Sequence, residues 1–390
     1  MSQSGKERLH RAAPYLVATA WMVLGWAFLV RGVAHPGVEY RPWAFRNHAY
    51  SDLLSMTGDR YLHGGRPLPY VEDRIEYPPL LGAALWAPSF LPGGQVVHFT
   101  ASVLLLWACL MLAIRALRRL PGASPWWLAA TPALAYYGAL NWDLLPIALL
   151  LGAVLAAERG RHAGAGALAA LGVSAKLFPV ALLPAAAADL ASRRRLAELA
   201  RAAAAFAAVT LAVNLPVALA APAGWSWFWR FNGGRSAENS VWEVLGLRSP
   251  ALLNGIGAAF LAAAALAAAA GAWRAAPEAR ARAVRLGTAL VLVTWVATNK
   301  VWSPQYALWA FAAGALVAAP RWIFLALAAV SVVDYHLAFE VRAERGLFWF
   351  FDGWYLAEEV LRTAVYVALA AWIAVALRDA GRGGTREAEA

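Results

Sequence analysis

Cysteine is almost missing from this chain. The single Cys109 excludes an intramolecular disulfide, and its place inside an apolar run speaks against a cysteine-based metal site. Charge is scarce as well: Asp, Glu, Lys and Arg make up 15% of the residues, too few to solvate a soluble fold of 390 residues. Acidic side chains are the scarcer sign, 23 against 34 basic. No P-loop, GxGxxG element or HExxH stands in a context that would make a nucleotide or zinc enzyme, and no carboxylate pair is marked for hydrolysis. No metal site and no cofactor are therefore expected. Linkers, heptad runs and composition breaks are also missing, so a single domain is expected across residues 1–390.

What is present is apolar sequence nearly end to end, 61% of the residues. That composition describes a polytopic membrane protein. The first apolar stretch, Ala12 to Val33, follows Lys6, Arg8 and Arg11 and closes without a small-residue cleavage pattern, so it reads as a retained helix. A net charge of +11 would suggest nucleic acid in a soluble chain. Here the basic residues sit in short connectors, at 115–119, 159–162, 193–201, 274–285, 321 and 378–386, where they act as topology signals, and no nucleic-acid partner is expected. Placing all of them in the cytoplasm puts both termini inside and predicts an all-α bundle of about 12 transmembrane helices in the cell membrane. Thirteen apolar segments are present, so one must not cross; 76–92, with Pro78, Pro79, Pro88 and Pro92, is the candidate.

The opposite, extracytoplasmic face then receives every unusual polar group. A long first outer loop, 34–75, is predicted to be a functional cap. A second outer loop spans about 223–248, and an aromatic loop is predicted at 348–355. Ionisable groups at membrane depth cost about 2.5–3.5 kcal/mol each, so Asp143, Lys176, Lys300 and His336 need partners or water, and a shared polar cavity would supply both. Each residue also has a plainer reading. Asp52 equally suits a loop carboxylate pairing with Arg46 or Arg60. Lys176, ahead of Leu-Phe-Pro at a hairpin tip, could snorkel, and Lys300 could face a helix dipole. Arg230 and Arg235 flank Asn232-Gly233-Gly234 in a way that suits a phosphate or a solvated turn, and His336 suits an interfacial hydrogen bond.

One loop carboxylate, several cations and a membrane-level cavity together fit transfer of a sugar from a polyprenyl phosphate. The carboxylate deprotonates an acceptor hydroxyl while the cations stabilise the departing phosphate. A twelve-helix secondary transporter or lipid flippase is the alternative; it should show an internal repeat and polar residues reachable from both sides, and neither is seen. A lipid-binding or scaffold protein without catalysis is a third reading.

Five motifs carry a family resemblance: Tyr50-Ser51-Asp52-Leu53; Gly65 to Tyr70 running into Glu76-Tyr77-Pro78-Pro79; Asn141-Trp142-Asp143; Ser174-Ala175-Lys176-Leu177-Phe178-Pro179; and Asn299-Lys300-Val301-Trp302-Ser303-Pro304-Gln305-Tyr306. In order and spacing the chain resembles the C-superfamily glycosyltransferases of family 87, which include polyprenol-phosphate-mannose-dependent mannosyltransferases and related arabinofuranosyltransferases. The resemblance implies a C-type helical bundle, a polyprenyl-phosphate hexose donor (mannose first), a glycolipid or envelope-glycan acceptor, and Asp52 as the base, with Asp59 and Asp73 as fallbacks. Lys176, Arg230, Arg235, Lys300 and His336 are then candidates for the phosphate, and Glu76, Tyr77, Asn141, Asp143, Asn299 and Gln305 for the sugar.

Overall fold

The computed structural model describes residues 3–35, 37–58, 65–343 and 348–380, and among these the secondary structure is helical, with two isolated β-bridges and no strand. The elements in chain order are α1 (Gln3–Leu29), α2 (Tyr40–Arg46), α3 (Asp52–Thr57), α4 (Pro79–Trp86), α5 (Gly94–Leu117), α6 (Trp126–Ala129), α7 (Ala133–Tyr137), α8 (Leu144–Glu158) and α9 (His162–Ala175). They continue with α10 (Leu183–Ser192), α11 (Leu196–Ala220), α12 (Pro222–Gly234), α13 (Val241–Val244), α14 (Pro250–Arg274), α15 (Arg280–Thr298), α16 (Ala307–Val317), α17 (Arg321–Arg342) and α18 (Phe348–Ala380).

Seven helical stretches among the described residues are long and apolar enough to cross a membrane, in α1, α5, α11, α14, α15, α17 and α18. The chain is thus an all-helical polytopic membrane protein. Helices α8, α9 and α10 are equally apolar but shorter. Helix α15 forms the centre, buried over most of its length and packed on α14, α16 and α18. Helix α11 lies at the periphery with no residue of its apolar window buried, yet it is no more polar, as expected where the surroundings are lipid. It is seated on α9 through Gly166, where an added Cβ would fall 2.1 Å from the Ala202 carbonyl oxygen. Small residues let two backbones approach this closely when water supplies no hydrophobic drive.

Three of the basic connectors, 159–162, 193–201 and 274–285, meet at one end of the bundle. Arg285 Nε meets Glu158 Oε1 at 3.2 Å, His162 Nε2 meets Glu198 Oε2 at 2.9 Å, and Asp189 receives Arg193 at 3.5 Å and Arg280 at 3.9 Å. The motif-bearing ends of the same helices lie at the far end: Asp143 starts α8 and Lys176 ends α9.

Three sequence expectations change. The apolar run 125–140 is two short helices rather than one, because Pro132 cannot donate and Thr131 Oγ1 accepts instead from Ala133 N at 3.2 Å. The outer loop 223–248 holds the helices α12 and α13; Pro222 opens α12, and between Gly224 and Gly233 no glycine or proline interrupts it. The aromatic stretch 348–355 is the first part of α18, not a loop. Segment 76–92 is a short helix that turns back into α5 at Gly93, whose φ of 118° is open to glycine.

Candidate active site

Ser51 and Asp52, within the outer loop, bind the backbone of the connector between α7 and α8. Ser51 is the N-cap of α3: its Oγ accepts from Leu53 N at 3.2 Å and donates to the Ala139 carbonyl at 2.6 Å. Tyr40 OH accepts from Ser51 N at 2.8 Å, and Asp52 N donates to the Leu140 carbonyl at 2.8 Å. The dipeptide Ser-Asp therefore starts a helix and delivers the Asp52 carboxyl to the Asn141-Trp142-Asp143 turn. There Tyr50 OH donates to Asp52 Oδ1 at 2.8 Å, and Asn141 Nδ2 donates to Asp52 Oδ2 at 2.6 Å and to Tyr77 OH at 2.8 Å. Both carboxylate oxygens are oriented, and one face of the group is left on a cavity of about 1040 Å³. Burial pushes the Asp52 carboxyl above its ordinary value, against the opposing pull of the hydrogen bonds from Asn141 and Tyr50 and of the Lys176 charge. Burial and the Asp52 charge hold the Tyr50 hydroxyl protonated as a donor.

The same cavity is lined by Glu76, Tyr77, Lys176, Arg235, Asn299, Lys300 and Gln305, so eight of the predicted residues, Asp52 included, share it. Asn141 and Asp143 stand behind its wall. Asp143 is fully buried and receives Lys176 Nζ on both oxygens at 2.8 Å and Trp309 Nε1 at 2.6 Å. Tyr77, Tyr306 and Trp309 enclose the ammonium, their ring centroids 5.5, 5.9 and 5.9 Å from Nζ. Lys176 is thus a charge already matched by Asp143 rather than a free hairpin-tip cation, and Asp143 is its counter-ion rather than a group open to a sugar.

Lys300 differs. Its Nζ donates to the Gly233 carbonyl at 2.9 Å and has no carboxylate partner among the described residues. Burial, with the nearby Arg235 charge, lowers its pKa, as expected of an ammonium short of negative charge. Arg235 pairs with Glu238. Two predicted residues lie elsewhere. Arg230 is exposed and donates to the Ala223 carbonyl at 2.9 Å, because α12 turns its side chain away from the cavity. His336 meets His48, Nδ1 to Nδ1 at 3.0 Å, and packs on Tyr136 and Tyr335. Of the alternative carboxylates, Asp73 pairs through its backbone with Tyr70 and is not on the cavity wall, while Asp59, like Arg60, lies outside the described residues.

Sequence reading missed several cavity residues. Arg41 lines the cavity and donates to Ser55 Oγ at 3.0 Å. Glu238 sits on the turn after α12 and forms a bridge with Val301. One wall is apolar, made by Phe228, Trp229 and Phe231 of α12 and by Leu253, Gly257, Ala258 and Leu261 of α14. The aromatic spacing in Trp-Ser-Trp-Phe-Trp-Arg-Phe was the available signal for that wall. Also unread was Arg362, buried in α18 among Asp334, Glu358 and Trp302. Among the described residues no group of three or more His, Cys, Asp or Glu side chains could hold a metal ion.

A cavity with one oriented carboxylate, an under-neutralised ammonium and an apolar wall can take an amphiphilic anion and a hydroxyl nucleophile together. The family model of glycosyltransferase family 87 matches residues 76–304, which takes in the Asn141, Lys176 and Lys300 motifs and begins just after the loop that carries Asp52. No curated protein matches the chain.

Proposed function

Because the chain belongs to glycosyltransferase family 87 and is a membrane glycosyltransferase, we propose that it moves a hexose, mannose first, from a polyprenyl-phosphate donor to a glycolipid or cell-envelope glycan. The reaction takes place at the outer face of the cytoplasmic membrane and inverts the anomeric carbon. The carrying observation is that Asp52 and Lys300 line one cavity whose remaining wall is the apolar surface of α12 and α14. The isoprenoid lies along that wall, its phosphate meets Lys300 and Arg235, and the sugar faces Glu76, Asn299 and Gln305.

Asp52 takes the proton of the acceptor hydroxyl as that oxygen attacks the anomeric carbon. The bond from the anomeric carbon to the phosphate oxygen breaks with its electron pair, and polyprenyl phosphate leaves with one more negative charge than the donor carried. Lys300 is suited to meet that charge because no carboxylate among the described residues neutralises it, and fixed cations in a partly desolvated site stabilise developing charge strongly. Lys176 holds Asp143 and, through the aromatic rings around it, the shape of the sugar end. The gathering of basic connectors at one end supports an orientation with that end in the cytoplasm and twelve passes between the ends, with segment 76–92 returning to the outer side.

The test is consumption of a polyprenyl-phosphate sugar by the purified protein in liposomes, with a labelled product on the acceptor. Transbilayer movement of the donor without a glycosylated product would replace this reading by the flippase.

A further inference from the structure

Away from the cavity, Arg362 is 2% exposed in the middle of α18 and is held on several sides. Its Nη1 donates to Asp334 of α17 and to Glu358 at 2.8 Å, Nη2 donates to the Asn239 carbonyl at 2.8 Å, and the guanidinium lies 4.3 Å over the Trp302 ring. Trp302 Nε1 in turn donates to Asp334 Oδ2 at 3.3 Å. Asn239 takes a φ of 52°, a region that non-glycine residues seldom adopt, and its N–H is held by Glu243 at 2.9 Å. The two segments gripped by Arg362, 238–240 and 300–302, are joined to each other: Glu238 N donates to the Lys300 carbonyl at 3.0 Å, Trp302 N to the Glu238 carbonyl at 2.8 Å, and Ser240 Oγ to the Lys300 carbonyl at 2.8 Å.

We propose that Arg362 is a positioning residue for the donor-phosphate site: one buried guanidinium pins both rim segments and so fixes where the Lys300 ammonium stands. The inference rests on the reading of Lys300 as the phosphate cation. A packing role alone would be served by an apolar side chain of similar volume, since buried ion pairs are often replaceable without loss of stability. The positioning role would not, because only a planar multi-donor group can hold a backbone carbonyl, a carboxylate and a ring face at once.

The test uses the full-length protein in nanodiscs and the variants Arg362→Gln and Arg362→Met/Asp334→Asn/Glu358→Gln. The second removes the charge cluster as a unit, so that it folds without an unpaired buried charge. Expected are faster amide exchange at Glu238 and Trp302, a donor KM raised about tenfold, the size of one lost charge-assisted hydrogen bond, and little further rise when Lys300→Met is added. Unchanged exchange at Glu238 and Trp302 in a folded variant overturns the proposal, as does a KM penalty that persists in full on the Lys300→Met background. If Lys300→Met alone leaves donor KM at the wild-type value while exchange rises in the Arg362 variants, the phosphate assignment falls and the clamp on the two segments stands.

Discussion

At the scale of single residues, the site turns on how far each charge is already matched. Asp52 receives Tyr50 and Asn141, which favour the carboxylate, while burial opposes it more strongly. Only the carboxylate accepts a proton, so a raised pKa moves the acidic limb of kcat/KM up from where an unperturbed aspartate would place it, and the rate falls as pH is lowered through it. Tyr50→Phe removes a hydrogen bond to the charged form and should move that limb further up; a pH–rate profile reads this directly, and an unmoved limb separates Asp52 from the base. Asp52→Asn should keep the donor bound and lower turnover by about 10²–10⁴, the usual range for loss of a general base, measured in the liposome assay. Near wild-type turnover in that variant would remove the assignment. Lys176 makes the contrasting case. Lys176→Met leaves Asp143 buried without its counter-ion, and such a break costs about 3–5 kcal/mol, so the expected loss is of folded protein before catalysis. Lys176→Met/Asp143→Asn should recover monodisperse protein on size exclusion, and failure to do so would mean that the pair does more than balance charge.

At the scale of elements, the loop 34–75 and the segment after it are held by close backbone approaches. Tyr70, at φ 71°, donates to the Tyr77 and Pro78 carbonyls at 3.0 and 2.8 Å, so it sets the turn that aims Glu76 and Tyr77 at the cavity. Its own carbonyl lies against Gly224 of α12, where an added Cβ would fall 1.9 Å from the oxygen. Gly224→Ala should therefore cost about 1–3 kcal/mol and loosen that turn, lowering the unfolding temperature of the purified protein together with donor use. Gly255→Ala in α14, where an added Cβ meets nothing within 4 Å, is the control and should be neutral or slightly stabilising. Equal behaviour of the two variants would mean that the loop can shift freely. The motifs Tyr-Ser-Asp and Ser-Ala-Lys-Leu-Phe-Pro were readable because capping, proline and charge at an apolar boundary are local signals. The helix α12 was read as a loop because its aromatic residues suit an interface anchor and a helix face equally.

At the scale of the molecule, the sorting of charge to one end and motif to the other fixes the topology to be tested. With Cys109 replaced, cysteines at Gly65 and Gly234 should react with an impermeant thiol reagent on intact cells, and one at Ala197, beside the basic connector before α11, should not. Labelling only at Ala197 would put the cavity on the cytoplasmic side and bring back a nucleotide-sugar donor.

The sequence by itself determined the class, a helical membrane protein. Apolar length is a property of contiguous residues, and the family motifs are contiguous strings as well. It also marked five of the seven charged residues that line the cavity, Asp52, Glu76, Lys176, Arg235 and Lys300, because a charge beside apolar sequence stands out without any knowledge of its neighbours. What only the tertiary structure decided is which charge answers which. Asp143 and Lys176, 33 positions apart, neutralise each other. Asn141 orients Asp52 across 89 positions. Lys300 is left with a backbone carbonyl, and Arg362 reaches Asn239 across 123 positions. Pairing of this kind depends on distances between helix ends, which follow from how the helices cross and not from the residues along any one of them.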